Sequence, residues 1–323
     1  MRALFLVVLY AGLCYASSDS DADEVETLMD NVLVLKRSKG VSRQVNVTVS
    51  CGGAYENQDV VWKKDGEIVA GLLGNNIKVL VKEVAGGNYS CHLRQNGEYL
   101  NHTVILVQLE NKTVILEKSP GKGEIQCVAV NYNGSFHCSW NRTQHRTNAA
   151  VLLVKVERGS VRIPCELDAD GSGIHCKENR CPFEEEQNSI SLTIYIHNFS
   201  VLEAYRKSFY LRDIVKPETL PDLQLGDGKV FSWSYPESWE VPRTFFALDF
   251  QVKIVKKNHS CESEEIIMNN TTQDTNYQVK VKSPRFVFCV RAQDKYTKGV
   301  FSNWSQCKVD KGKADCPLTG PKP

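Results

Sequence analysis

Beyond Ser18 the chain has no run approaching the roughly twenty apolar residues that a membrane-spanning helix needs. It also lacks a Gly-x-Ser-x-Gly elbow, a His-Glu-x-x-His zinc motif and a phosphate-binding glycine loop, and its 7 histidines share no spacing. No pair of carboxylates stands in a catalytic context. These absences exclude the familiar hydrolase, metalloprotease and nucleotide-dependent classes, so the chain reads as a non-enzyme with no metal and no cofactor. Charge of one sign is missing too: the formal net charge is +1, which points neither to nucleic acid nor to an acidic membrane surface. No stretch carries apolar residues at helical spacing, and the alternating runs described below predict an all-β fold.

What is present starts with residues 1–16, where basic Arg2, the apolar run Leu4 to Leu13 and small Ala16 have the form of a secretory signal peptide. That predicts a secreted, extracellular product. Of 12 cysteines, Cys14 lies in this leader, and the remainder is an odd number in an oxidising compartment, which leaves at least one thiol for another chain. Asn-x-Ser/Thr sequons agree with that compartment. Glycan candidates are Asn46, Asn101, Asn111, Asn133, Asn141, Asn198, Asn258, Asn270 and Asn303. Asn269 overlaps Asn270, and Asn88 is set aside because it lies against a strand that must pack.

Residues 19–30 are acidic and polar and read as a mobile leader before a first strand at Val32 to Leu35. Val45, Val47, Val49 and Cys51 then alternate with polar neighbours; Trp62 follows, and Ile77, Val79 and Val81 form another alternating run before Asn88-Tyr89-Ser90-Cys91. A tyrosine two residues before the second cysteine, with a tryptophan between the cysteines, is the immunoglobulin signature, with Cys51 and Cys91 joining two sheets. Residues 17–112 are therefore expected to be an immunoglobulin-like domain. Its bland reading is a spacer.

Residues 113–216 contain a hairpin with its own staple. Ile125, Cys127 and Ala129 alternate on one side of the turn, Phe136, Cys138 and Trp140 on the other, and Asn131 to Ser135 supplies turn residues. Cysteines facing each other across such a hairpin meet the short Cα spacing of a disulfide. Cys165 and Cys176 make a second pair, and Ile190, Leu192, Ile194 and Ile196 another alternating strand. Pro217 and Pro221 form a stiff elbow, beyond which residues 217–309 show short strands at sandwich spacing, and the Lys-, Gly- and Pro-rich tail 310–323 reads as disordered. A metal reading of Cys165, His175, Cys176 and Cys181 exists on paper, but disulfides are favoured in a secreted chain.

These two domains resemble the cytokine-binding module of class I cytokine receptors, two fibronectin type III-like sandwiches. The resemblance is carried by the order Cys127, Cys138-Ser-Trp140, Cys165, Cys176 and by Phe301-Ser302-Asn303-Trp304-Ser305, which looks like that family's Trp-Ser-x-Trp-Ser box with Phe301 in place of the first tryptophan. It implies that Arg291, beside Lys280 or Lys282, interleaves with the rings of Phe301 and Trp304, with Ser302 and Ser305 completing the box. An immunoglobulin domain ahead of the module, with no anchor behind it, is similar to the secreted receptor-like subunits of heterodimeric cytokines.

That likeness implies an elbow gripping a four-helix-bundle alpha subunit. Asp294 would receive an arginine of the partner, flanked by Tyr132 and Tyr296, with Glu185 on the rim and Phe245 where the family has a tyrosine. Cys181 would form the interchain disulfide of a covalent heterodimer, and the immunoglobulin domain would face a cell-surface receptor chain in immune signalling. In the last domain the cysteines depart from the family. Cys289 and Cys307, on strands expected to be neighbours, are paired here, which leaves Cys261 and Cys316 to join each other or to support a homodimer. The alternative function is a soluble receptor or decoy that binds a helical cytokine without a covalent link; an adhesion molecule of the same architecture is a further rival.

Overall fold

The computed structural model describes residues 24–37, 44–109 and 114–317. The leader 1–16 and Asn111 lie outside them. The fold is all-β, an immunoglobulin-like sandwich followed by two fibronectin type III-like sandwiches, and it separates into two units: one running to Lys112 and taking in Phe199–Leu202, the other holding the rest.

In the first unit, strands Gln44–Ser50 and Asn76–Lys82 pair antiparallel so that Val45, Val47 and Val49 oppose Val81, Val79 and Ile77. Because side chains alternate across a strand, this register places one face of apolar residues against the opposing sheet. That sheet runs Glu67–Leu73, Val60–Lys64, Gly87–Leu93, Tyr99–Leu109, with Val32–Arg37 parallel to the last. Cys51 and Cys91 join the sheets with Cα atoms 5.9 Å apart. Trp62 is fully buried beside them, and its indole N–H donates to the Gly74 carbonyl at 2.9 Å. The acidic leader reading fails for its second half. Glu24–Met29 is an edge strand, hairpinned to Val32–Arg37 through Asn31 at φ 62°, a left-handed position that asparagine tolerates. Its charges face solvent from an edge, which is what made the composition look unstructured.

In the second unit, the first sandwich packs the sheet Cys165–Leu167, Gly173–Lys177, Ser135–Trp140, Ile125–Val128 against a sheet containing Ala150–Arg158 and Ile190–Asn198. Ile190, Leu192, Ile194 and Ile196 are all fully buried. Cys127 is the direct cross-strand partner of Cys138, and Cys165 of Cys176; both pairs are bonded, with Cα separations of 4.0 and 4.1 Å. The paper metal set is thereby broken, since two of its thiols are consumed. The second sandwich packs Gln224–Leu225, Val230–Ser232 and Asn276–Gln278 against Ile266–Thr272, Leu248–Lys256, Arg285–Asp294, Ser305–Asp310 and Lys313–Asp315.

Two expectations about this sandwich are corrected. Cys289 and Cys307 do lie on neighbouring strands, but the register opposes Cys289 to Gln306 and Phe288 to Cys307. One step of offset sends the two sulfurs to opposite faces of the sheet. Cys289 instead bonds Cys261, and Cys307, inside the core, bonds Cys316. That second bond holds Lys313–Asp315 as a strand paired with Ser305–Asp310, so residues 310–317 are ordered; the rest of the tail lies outside the described residues.

One core runs through both sandwiches of this unit. The segment between them is tied down on each side: Ala129 exchanges backbone hydrogen bonds with Ile214 and Lys216, and the Ser305 hydroxyl donates to the carbonyl of buried Leu220 at 2.8 Å. The elbow is a fixed corner.

Candidate functional site

The corner encloses a cavity of about 580 Å³. Tyr132, Glu185, Phe245, Asp294 and Tyr296, widely separated in the chain, all line it. Asp294 ends strand Arg285–Asp294 and is only 3 % exposed. Its Oδ1 accepts the backbone N–H groups of Tyr296 and Thr297 at 2.8 and 2.7 Å, and its Oδ2 accepts the Tyr132 hydroxyl at 3.2 Å. None of the ion pairs among the described residues uses this carboxylate, so an almost buried acid is held by neutral donors alone. Such a group favours an incoming cation, because its desolvation has already occurred and its geometry is set.

Tyr132 sits in the turn of the stapled hairpin and stacks on Phe246 at 5.6 Å, with Trp239 edge-on at 6.0 Å. Burial pushes the pKa of its hydroxyl up; the hydrogen bond with Thr297 draws it down, and the Asp294 charge raises it further. Phe183, Phe245 and Phe246 form a triangle with centroids 4.9 to 5.3 Å apart. Phe183 and Phe245 remain 51 % and 50 % exposed and Tyr296 62 %, an unusual amount of aromatic surface left in water. Glu185 is on the solvent side of the rim.

Cys181 is an exposed free thiol. Its neighbours Arg180, Pro182 and Phe183 line the cavity, so the thiol stands at the rim. A turn closed by the Glu184 N–H donating to the Cys181 carbonyl at 3.1 Å presents it. An ionic cluster beneath anchors that turn. Glu186 accepts the N–H groups of Leu211 and Arg212 at 2.8 and 3.0 Å, at the start of the four-residue helix Leu211–Ile214, and pairs with Arg158 at 3.0 Å and Arg180 at 3.4 Å. Arg158 also grips Glu178 at 2.6 Å. Burial works against the Arg158 charge, but Glu178 and Glu186 outweigh it and hold its pKa above the ordinary value. The rim loop is thus fastened to strand Ala150–Arg158.

On the outer face of the last sandwich the guanidinium of Arg291 lies 4.1 Å from the ring centroid of Phe301 and 4.3 Å from that of Trp304. A phenyl ring serves in the first position. The lysine over Trp304 is Lys253, at 5.8 Å on the adjacent strand, and not Lys280 or Lys282. Ser302 and Ser305 are buried; the Ser302 hydroxyl accepts the Ala292 N–H at 2.9 Å and donates to the Asn303 carbonyl.

Among known proteins, a family model described as "Cytokine interleukin-12p40 C-terminus" matches residues 122–198. Interleukin-12 subunit beta of Macaca mulatta is 30 % identical over 281 residues, 77 % of this chain and 82 % of that one. The chain belongs to the interleukin-12 subunit beta family. The human and cat proteins of that name are 29 % and 28 % identical, over 77 % and 80 % of this chain and 82 % and 85 % of their own. It is accordingly a cytokine subunit of a non-enzymatic family, and among its described residues no helix is long and apolar enough to cross a membrane.

Sequence reasoning missed Phe183, Phe246, Glu186 and the arginines around it. The adjacent Phe245 and Phe246, and Phe183 two residues after the odd cysteine, were the available signals. Among the sequons, Asn46, Asn141, Asn258, Asn270 and Asn303 are exposed, while Asn133 and Asn198 are half-buried. Asn88, set aside above, also points outward, because the packed residues of Gly87–Leu93 are its neighbours Gly87 and Tyr89. Asn101 is committed internally, its amide nitrogen donating to the Cys51 carbonyl at 2.9 Å.

Proposed function

We propose that this chain is the secreted, receptor-like beta subunit of an interleukin-12 or interleukin-23 type heterodimer, joined through Cys181 to a four-helix alpha subunit whose basic side chain enters the elbow cavity. The observation that carries this reading is an exposed unpaired thiol beside the rim of an aromatic cavity whose buried carboxylate has no ion pair among the described residues. Phe183, Phe245 and Tyr296 supply flat apolar contact around the charge, and exclusion of water by the rings strengthens it. By thiol–disulfide exchange with a disulfide oxidant of the secretory compartment, which leaves as two thiols, the Cys181 thiol and a partner cysteine become one disulfide, converting a reversible contact into a permanent one. The immunoglobulin-like unit faces an interleukin-12 receptor beta-1 type chain and drives signalling; a homodimer through Cys181 is the competing product when no alpha subunit is present.

Asp294→Asn, made in a Cys181→Ser background so that only non-covalent binding is read, tests the cavity. An amide still accepts the two backbone N–H groups, so the loop is preserved, but its charge is gone. Affinity for the alpha subunit is expected to fall by about 2–4 kcal/mol, measured by titration calorimetry. Unchanged affinity would remove Asp294 from the interface.

A further inference from the structure

Apart from the elbow cavity, three polar side chains converge on the outer face of the first fibronectin-like sandwich. His137 and His175 are direct cross-strand partners on Ser135–Trp140 and Gly173–Lys177, and their rings lie 4.2 Å apart. The carboxylate of Asp168 reaches both: its Oδ2 is 3.1 Å from His137 Nε2 and its Oδ1 3.4 Å from His175 Nε2. All three donor atoms fall within 4.8 Å of one another.

We propose that His137, His175 and Asp168 bind a divalent transition-metal ion of the zinc class. Zinc bonds of about 2.0 Å in a tetrahedron require donors about 3.3 Å apart; each imidazole nitrogen has a different Asp168 oxygen at about that separation, and the small closing motion that brings one oxygen onto both lies within the 4.8 Å span of the cluster. Two imidazole nitrogens with one carboxylate oxygen favour zinc, copper or nickel over calcium or magnesium, which take all-oxygen cages.

The arrangement is set without the ion. The Asp168 N–H donates to the Gly173 carbonyl at 2.9 Å, and the Gly171 N–H donates to the Asp168 carbonyl at 2.8 Å. At Gly173 a side chain would collide with the cluster, since a Cβ there would lie 2.4 Å from Asp168 Oδ2 and 2.8 Å from His137 Nε2. Glycine is therefore what lets imidazole and carboxylate close over this strand. His175 is 70 % exposed on its side chain and the cluster opens onto a groove of about 720 Å³, so a fourth coordination position is free for water or for a donor from another molecule. Catalytic and bridging zinc sites share this open pattern.

The site is independent of the elbow and does not rest on the proposed heterodimer. The test uses the full secreted chain, stripped with chelator, then titrated with zinc chloride by calorimetry and with Co²⁺ by visible absorption. Wild type is expected to bind one equivalent and to give the d–d bands of four-coordinate cobalt with nitrogen and oxygen ligands. His175→Ala, whose exposed side chain makes it safe for folding, is expected to lose affinity at least tenfold and to lose those bands. Cys181→Ser is expected to retain both, which separates this site from the free thiol. Absence of saturable zinc binding by wild type, or equal binding by His175→Ala, would overturn the proposal.

Discussion

The Asp294 side chain accepts three hydrogen bonds from its own chain and has no ion pair among the described residues, and that imbalance is the clearest residue-scale sign of a binding site. Tyr132 depends on the same contact. A free tyrosine ionises near pH 10, whereas burial chiefly, and the Asp294 charge with it, keep Tyr132 protonated beyond that pH. Above about pH 10 the unfolded chain therefore binds fewer protons than the folded one, and stability falls as pH rises. Tyr132→Phe removes one such group. Urea midpoints measured between pH 9 and pH 11 are expected to fall less steeply for the variant than for wild type; parallel slopes would show that the hydroxyl is not shielded. At this scale Asp294 and Tyr132 were legible only through family resemblance. Nothing in local composition distinguishes a strand-end aspartate that is buried from one that is solvated, and Phe183, Phe246 and Glu186 reach the cavity only because chain segments distant in sequence converge there.

Elements were the most legible level, because period-two alternation reports which face of a strand is covered. The run from Ile190 to Ile196 and the hairpin from Cys127 to Cys138 fold as their patterns predict. Register was not legible, and the cysteines of the last sandwich show why. Knowing that Arg285–Asp294 and Ser305–Asp310 are neighbours does not say whether Cys289 faces Cys307 or faces away from it, and a single-residue offset decides the pairing. Peptide mapping of the non-reduced chain is expected to recover Cys261 linked to Cys289 and Cys307 linked to Cys316; a Cys289–Cys307 peptide would contradict this register. Removing the latter bond as Cys307→Ala with Cys316→Ala is expected to cost about 2–3 kcal/mol, as loop closure of some ten residues implies, read from the urea midpoint, while the immunoglobulin-like unit keeps its own transition. Register also hid the histidine cluster, since His137 and His175 meet across strands whose pairing their spacing does not reveal, and it hid Lys253 beneath Trp304.

For the whole molecule, the two units divide the labour that the proposed function requires. Every residue assigned to alpha-subunit capture belongs to the second unit, where a single core and a pinned linker make the elbow rigid. Rigidity there lowers the ordering cost of binding and holds the Cys181 loop in place while its disulfide forms. The most direct measurement is co-expression of this chain with its four-helix alpha subunit, followed by electrophoresis of the secreted material with and without reductant. One heavier species that separates into two chains on reduction, and that disappears with Cys181→Ser while non-covalent association persists, is the predicted result. A heavier band that survives Cys181→Ser, or a wild-type chain that migrates only at its own mass, would contradict it.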